Sequence, residues 1–441
     1  MNPIVKNSTL TTMSESIKDG LVPNGIYIDQ EIYDMEQEKI FMKSWIFLAH
    51  ESEIPNIGDY VVRYVARDSL IVVRDPDNQI RVFYNYCTHR GMQVCRSEDG
   101  NTSSFRCHYH GWNFNTKGEL KGVPFDDPVY GDGLDREKFG LIASRFDTYH
   151  GMIFVCLDDN GPSLDEYLGD MKWYLDLVLQ WGSDGMEVSG PPQRLLVKTN
   201  WKIPSENIVG DSYHTPVSHR SVMEIGLYNL TKTSEVAPGS DKDGAEICAG
   251  VGNVGIRNIP PNSYWGYPQD LVDGLKENVS PEQFKFIEDG YFPFRGHVFP
   301  NLSFLNTAAY IRDDNVISHF LTFRVWQPVG PDQTEVISWS FVPKSASPEF
   351  KDYAKKAYAA SFGSAGMFEQ DDTENWLSIT RNVKGNMTRN FYQNIQMGIE
   401  TDKIIPDWPG PGTPFSTVYT EAGQRHFLNY WLKTMTGSAV K

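Results

Sequence analysis

Cys87-Thr88-His89-Arg90-Gly91 and Cys107-His108-Tyr109-His110-Gly111-Trp112 are the two stretches on which the reading of the chain turns. Each sets a thiol and an imidazole one or two residues apart, and each is followed by a glycine able to make a tight backbone turn. The chain has five cysteines, an odd number, and its start, Met1 to Gly20, is polar and rich in Ser and Thr. A start of that kind lacks the basic and apolar segments of a secretory signal, so the cysteines read as thiols or metal ligands and not as a disulfide framework.

Two thiols and two imidazoles can hold a single zinc ion, but ordinary zinc sites pair Cys with Cys at short spacing. Alternating Cys with His suits a Rieske-type [2Fe-2S] centre, in which two thiolates hold one iron and two imidazoles the other, making a one-electron carrier. Short spacers let each loop give its Cys to one iron and its His to the other. His108 reads as a loop histidine, and Cys95, Cys156 and Cys248 as small core residues or free thiols.

Around these loops lie short strand-like runs: Ser44 to Leu48, Tyr60 to Val65, Leu70 to Val73, Ile80 to Tyr84 and Gly151 to Val155. They define an all-β unit, residues 45–157, closed by the polar stretch Asp158 to Pro162. Residues 158–441 form a second, α+β domain, and residues 1–44 read as an N-terminal helical segment packing with it. The expected elements of the second domain are a helix from Ser163 to Leu179, a helix from Pro204 to Thr215, and an antiparallel sheet from Leu302 to Ile311, Val316 to Trp326 and Glu335 to Val342. Long helices come next at Pro348 to Phe362 and Met367 to Val383, then a proline-rich surface arm from Asp402 to Ser416.

The chain's 441 residues suit two domains. A formal charge of -17 excludes nucleic acid as a ligand, because such binders depend on clustered Lys and Arg. Mean hydropathy is -0.42, and no apolar run reaches bilayer-spanning length, so the expectation is a cytoplasmic protein without a membrane anchor.

Downstream, Asn207, Asp211 and His214 stand at helical spacing i, i+4 and i+7, with His219 five residues beyond His214. Pro216, opening a new helix capped by Thr215, could break the first helix and turn His219 toward the same point. Two imidazoles and one carboxylate make the facial triad of a non-haem Fe(II) oxygenase. The stretch Met367 to Trp376 supplies two candidate acids, Asp371 and Asp372. Taken alone, these residues could equally be core histidines and a solvated helix face. An electron carrier earlier in the same chain favours the iron.

Together, Cys-x-His…Cys-x2-His, Asn-x3-Asp-x2-His-x4-His and Phe-Glu-Gln-Asp-Asp closely resemble the motifs of the α subunits of Rieske aromatic-ring-hydroxylating dioxygenases, the naphthalene, biphenyl and toluene dioxygenase group, in order and spacing. The resemblance implies Cys87, His89, Cys107 and His110 as cluster ligands, and His214, His219 and Asp372 as Fe(II) ligands. It places Asn207 near the iron and makes Asp211 a bridge from His214 to a Rieske histidine of a neighbouring subunit. It puts Phe362, Phe368 and Leu305 at the substrate, where plain core packing is the alternative. His108 departs from the smaller residue often found there. The implied fold is an all-β Rieske domain plus a helix-grip catalytic domain. The implied activity is O2-dependent dihydroxylation of an aromatic ring to a cis-dihydrodiol, with ferredoxin and reductase as electron donors and small β subunits completing an α3β3 assembly.

Three other readings compete. A Rieske monooxygenase acting on an aromatic carboxylate such as a salicylate or benzoate would need a cationic anchor, for which Arg295 is the candidate. The others are an electron-transfer Rieske protein and a zinc-organised interaction protein.

Overall fold

The computed structural model describes residues 6–225, 244–311 and 316–437. It divides into two compact units, residues 41–164 and residues 1–40 with 165–441.

The smaller unit consists of three antiparallel sheets. Ile80–Tyr84, Asp68–Arg74, Asp59–Val65 and Asp99–Asn101 form one; Ser104–Arg106, Asn113–Asn115 and Leu120–Gly122 form the second; Phe146–Tyr149, Met152–Val155 and Ile46–His50 form the third. Runs such as Val61-Val62, Ile71-Val72-Val73 and Val82-Phe83 favour the pleated conformation and are buried. The hairpin between the first long pair turns at Ala66, φ +50°. Cys87 and Cys107 belong to the unit's apolar core, beside Val62, Phe83, Phe105, Trp112 and Phe114. The loops that carry chemistry therefore rest on packed side chains.

The larger unit is organised on a nine-stranded antiparallel sheet. Its order runs Met186–Val188, Gln333–Pro343, Val316–Gly330, Leu302–Ile311, Tyr291–Val298, Gly252–Asn258, Gly244–Ala249 and Thr413–Phe415, with Gln193–Val197 also paired to Gln333–Pro343. Helix Lys202–Gly210 packs across the central strands, and Pro348–Ser361 lies on Leu302–Ile311 and Val316–Gly330. Met367–Val383 and Ala422–Thr436 complete the helical layer.

Three local expectations are revised. The helix expected to Thr215 stops at Gly210, because Asp211 leaves helical geometry at φ -90° and ψ 63°. The stretch from Ser163 to Leu179 is two helices, Leu164–Leu168 and Met171–Leu179, parted at Gly169 with φ +46°. The end of the proline-rich arm is an edge strand paired to Gly244–Ala249, a position proline tolerates because no ladder donor is required there.

Residues 1–5 of the expected N-terminal segment lie outside the described residues. The rest of that segment places helix Lys6–Ser16, pairs Leu21–Pro23 with Tyr392–Asn394, and inserts Glu36 among Trp201, Lys202 and Trp431. Glu36 accepts from both indole N–H groups at 2.8 Å and from the Lys202 ammonium at 2.5 Å, so its charge is compensated on every side. No described helix is long and apolar enough to cross a membrane.

Candidate active site

In the smaller unit the two Cys/His loops repeat one backbone pattern. Cys87 N–H donates to Met92 O at 2.8 Å and Gly91 N–H to Cys87 O at 2.8 Å; Cys107 N–H donates to Trp112 O at 2.8 Å and Gly111 N–H to Cys107 O at 3.0 Å. Gly91 and Gly111 take φ of +79° and +76°, a region costly for residues with a Cβ. His89 and His110 have ring centroids 4.5 Å apart, and His89 stacks on Trp112 at 4.8 Å. Burial pushes the Cys87 thiol up, with Cys107 beside it adding to the shift, and burial holds the His89 imidazole down in its neutral, ligating form.

These residues fit a [2Fe-2S] cluster better than one zinc ion. His89 Nδ1 is buried with no partner, and Cys87 and Cys107 are only 1% and 2% exposed yet form no disulfide. No three of the four side chains place donor atoms within 4.8 Å of one another, as a shared tetrahedral ion would require. His108 is exposed, and Cys95, Cys156 and Cys248 are free thiols.

In the larger unit, one group of His, Cys, Asp and Glu donors among the described residues converges on a point: His214, His219 and Asp372. His214 Nε2 and His219 Nε2 are 3.2 Å apart and lie 3.4 Å and 3.2 Å from Asp372 Oδ1. That oxygen is buried yet takes no well-formed hydrogen bond, the situation of an atom aimed at an ion. The chemistry of the set, two imidazoles and a carboxylate, fits Fe(II) with further positions open.

The chain reaches this arrangement by leaving the helix. After Gly210, Asp211 takes φ -90° and ψ 63°, so the helical i, i+4, i+7 argument for one shared face fails beyond Asn207. Local hydrogen bonds replace it. Asp211 Oδ1 accepts from the His214 backbone N–H at 3.2 Å, and the His214 Nδ1 side packs on the Asp211 carbonyl. A short helix, Thr215–Ser218, then carries Pro216 in its first turn with His214 at the cap position, where Thr215 was expected. It delivers His219 to the same point.

Asn207 Oδ1 accepts from the Trp376 indole at 3.0 Å, which turns its amide N–H toward His214 at 3.2 Å. Burial opposes charge on His214, but hydrogen bonds and charge from Asp211 and Asp372 outweigh it and push the imidazole up to about 10. Burial opposes charge on Asp372 as well, and the proximity and charge of His214 and His219 hold it down at about 2.

An apolar cavity opens onto these three side chains. Phe362, Phe368 and Leu305 all line it, with Phe362 and Phe368 stacked at 5.1 Å and Phe368 edge-on to His219 at 4.7 Å. Sequence pattern did not reveal Phe294, Thr307, Phe320 and Arg257, which complete the wall from strand positions. Nor did it give Asp371 a role of its own: its Oδ2 lies 3.1 Å from His219 Nδ1, and its adjacency to Asp372 was the available signal. Arg295 lines the cavity but is engaged: Nη2 meets Glu246 Oε2 at 2.8 Å, and Nη1 donates to Ile208 O and Val209 O at 3.1 Å and 2.7 Å.

Residues 164–437 match the family of ring hydroxylating alpha subunits (catalytic domain), and residues 44–135 match the Rieske [2Fe-2S] domain. The chain belongs to the ring-hydroxylating oxygenase α-subunit family. It is similar to the crystal structure of naphthalene 1,2-dioxygenase from Rhodococcus sp. bound to indole, with 41% identity, a TM-score of 0.91, and coverage of 99% of this chain and 100% of that one. Biphenyl 2,3-dioxygenase subunit alpha of Rhodococcus jostii is 34% identical over 95% of this chain and 90% of its own. N,N-dimethyl phenylurea N-demethylase subunit alpha of a Sphingobium species is 34% identical over 96% of this chain and 93% of its own. The ring-hydroxylating α subunit is thus a Rieske non-haem iron oxidoreductase of the dioxygenase family, with the α+β architecture of that fold.

Proposed function

We propose that this α subunit, supplied with electrons by a ferredoxin and its reductase, dihydroxylates an aromatic ring with O2 to a cis-dihydrodiol. The observation that carries the reading is the convergence of His214 Nε2, His219 Nε2 and Asp372 Oδ1 at the inner end of an aromatic-walled cavity. In this reading Cys87, His89, Cys107 and His110 hold the cluster, and His214, His219 and Asp372 hold Fe(II). The cluster supplies single electrons, and the iron supplies the reaction with O2.

The protein's own side chains do the rest. Phe362, Phe368 and Leu305 press a flat ring toward the triad and keep water out. Asn207, anchored by Trp376, fixes the position of His214. Asp211 holds the far nitrogen of His214 and keeps part of its carboxylate exposed, which suits a bridge to a Rieske histidine on a neighbouring subunit. An α3β3 assembly in the cytoplasm completes the proposal.

A second reading, a monooxygenase, has one observation in its favour, since a relative of comparable similarity is named an N-demethylase and not a ring dioxygenase. The test is oxygen-dependent product formation from mono-, bi- and polycyclic aromatics by enzyme reconstituted with ferredoxin and reductase. The proposal expects dihydrodiols from wild type and none from Asp372→Ala. Dihydrodiols that persist in Asp372→Ala would overturn the iron assignment, and exclusively monohydroxylated or demethylated products would favour the second reading.

A further inference from the structure

Arg257 stands on strand Gly252–Asn258 and lines the same cavity as the His-His-Asp triad. Its guanidinium carbon lies 4.8 Å from the ring centre of Phe294 and 5.7 Å from that of Trp265. Its Nε is buried and has no acceptor. Arg257 itself is half-buried. Arg63, Arg295 and Arg324 also have a buried Nε without an acceptor, but each is answered at Nη2 by a carboxylate, from Glu53, Glu246 and Glu369 in turn. Among the described residues no carboxylate pairs with Arg257.

A second polar group points the same way. Ser361 lines this cavity, is 0% exposed, and its hydroxyl has no hydrogen-bond partner. A cavity needed only for a hydrocarbon gains nothing from a cation and a hydroxyl in its wall, since the Arg257 Nε and the Ser361 hydroxyl lose hydration without compensation. The planar guanidinium presents donors in a fork that matches a carboxylate, and its stacking on Phe294 holds that fork in one orientation.

From this we infer that Arg257 is a specificity-determining residue of the cavity, and that the preferred substrate is an aromatic ring bearing a carboxylate. The inference rests on the ring-hydroxylation reading and narrows its substrate class. Arg295, the cation first considered for such a role, is already held by Glu246 and two carbonyls and is not the anchor.

The test compares 2-naphthoate with naphthalene in the holoenzyme supplied with ferredoxin and reductase, in wild type, Arg257→Lys and Arg257→Leu. Wild type favours the acid, and Arg257→Leu lowers the ratio of kcat/KM for acid over hydrocarbon by about ten- to a hundredfold, with Arg257→Lys between. An unchanged ratio in Arg257→Leu, with or without loss of stability, makes Arg257 a structural cation and overturns the inference. A second measurement needs no variant: in anaerobic calorimetry on wild type, 2-naphthoate binds at least about tenfold more tightly than its neutral methyl ester. Equal affinities overturn the inference. Naphthalene separates the two levels of claim. Its turnover with rejection of the acid removes this inference and leaves ring hydroxylation standing, whereas oxidation of neither, nor of any other aromatic tested, removes both.

Discussion

Asp371 and Asp372 are neighbours on helix Met367–Val383 and meet His219 from different sides, Asp372 at Nε2 and Asp371 at Nδ1. One is placed to share an ion with the imidazole, and the other to orient the ring and raise its basicity. Exchanging each for Asn separates these duties. Asp372→Asn is expected to lose the mononuclear iron and lower turnover by more than about 10³-fold, with visible absorbance from the cluster unchanged. Asp371→Asn is expected to keep measurable turnover while iron affinity weakens by about 10–100-fold. Metal analysis after dialysis against a graded chelator reads both. Glu206 offers a pH test away from the ligands. It borders a cavity, but its carboxyl is desolvated, and burial pushes it up to about 8 although the Tyr27 hydroxyl, donating at 2.9 Å, and the Lys202 charge pull it down. A carboxyl raised in the fold contributes stability that is complete below its unfolded value of 4.5 and is lost as pH rises through about 8. Between pH 6 and 9, wild type is therefore expected to lose about 1–3 kcal/mol more stability than Glu206→Gln, as read by chemical denaturation.

At the scale of elements, the cluster loops depend on glycine at two positions of positive φ. At Gly111 an added Cβ would meet Pro124 Cγ at 2.8 Å, in addition to the cost of about 1–2 kcal/mol for a left-handed residue. Gly111→Ala is expected to purify with less cluster per chain, which visible absorbance and acid-labile sulfide measure, while mononuclear iron content stays at the wild-type level. The two Cys/His loops were legible in sequence because the Cys and His of each lie within a few residues of one another and need only a local turn. The strands around them were legible because β-branched runs bounded by turn residues leave little choice of conformation. The end of the helix at Gly210 was not legible, because the turn that replaces it is held by Asp211 against His214, and those two residues fit a continuing helix equally well by spacing. The cavity wall was only partly legible. Phe362, Phe368 and Leu305 were reached through the family resemblance, whereas Arg257, Thr307 and Phe320 sit on strands where pattern alone does not separate cavity-facing from core-facing positions.

At the scale of the whole molecule, an electron store and an oxygen-activating iron are encoded in one chain, and the proposed route between them crosses to a neighbouring chain through Asp211. That route makes complementation possible. On the proposed ligand assignment, a Cys107→Ser chain is expected to lack a working cluster and an Asp372→Ala chain a working iron. Each alone is expected to be inactive, and co-expressed they are expected to recover a measurable fraction of wild-type turnover, because a mixed assembly places an intact cluster beside an intact iron. Recovery absent from verified mixed assemblies would place the electron path within a single chain. Whether His214, His219 and Asp372 direct both atoms of O2 onto one aromatic ring is decided by turnover under ¹⁸O2 with mass analysis of the product. The expected product is a dihydrodiol carrying two labelled oxygens. A product carrying one labelled atom, its other new oxygen drawn from water or absent, would contradict that chemistry.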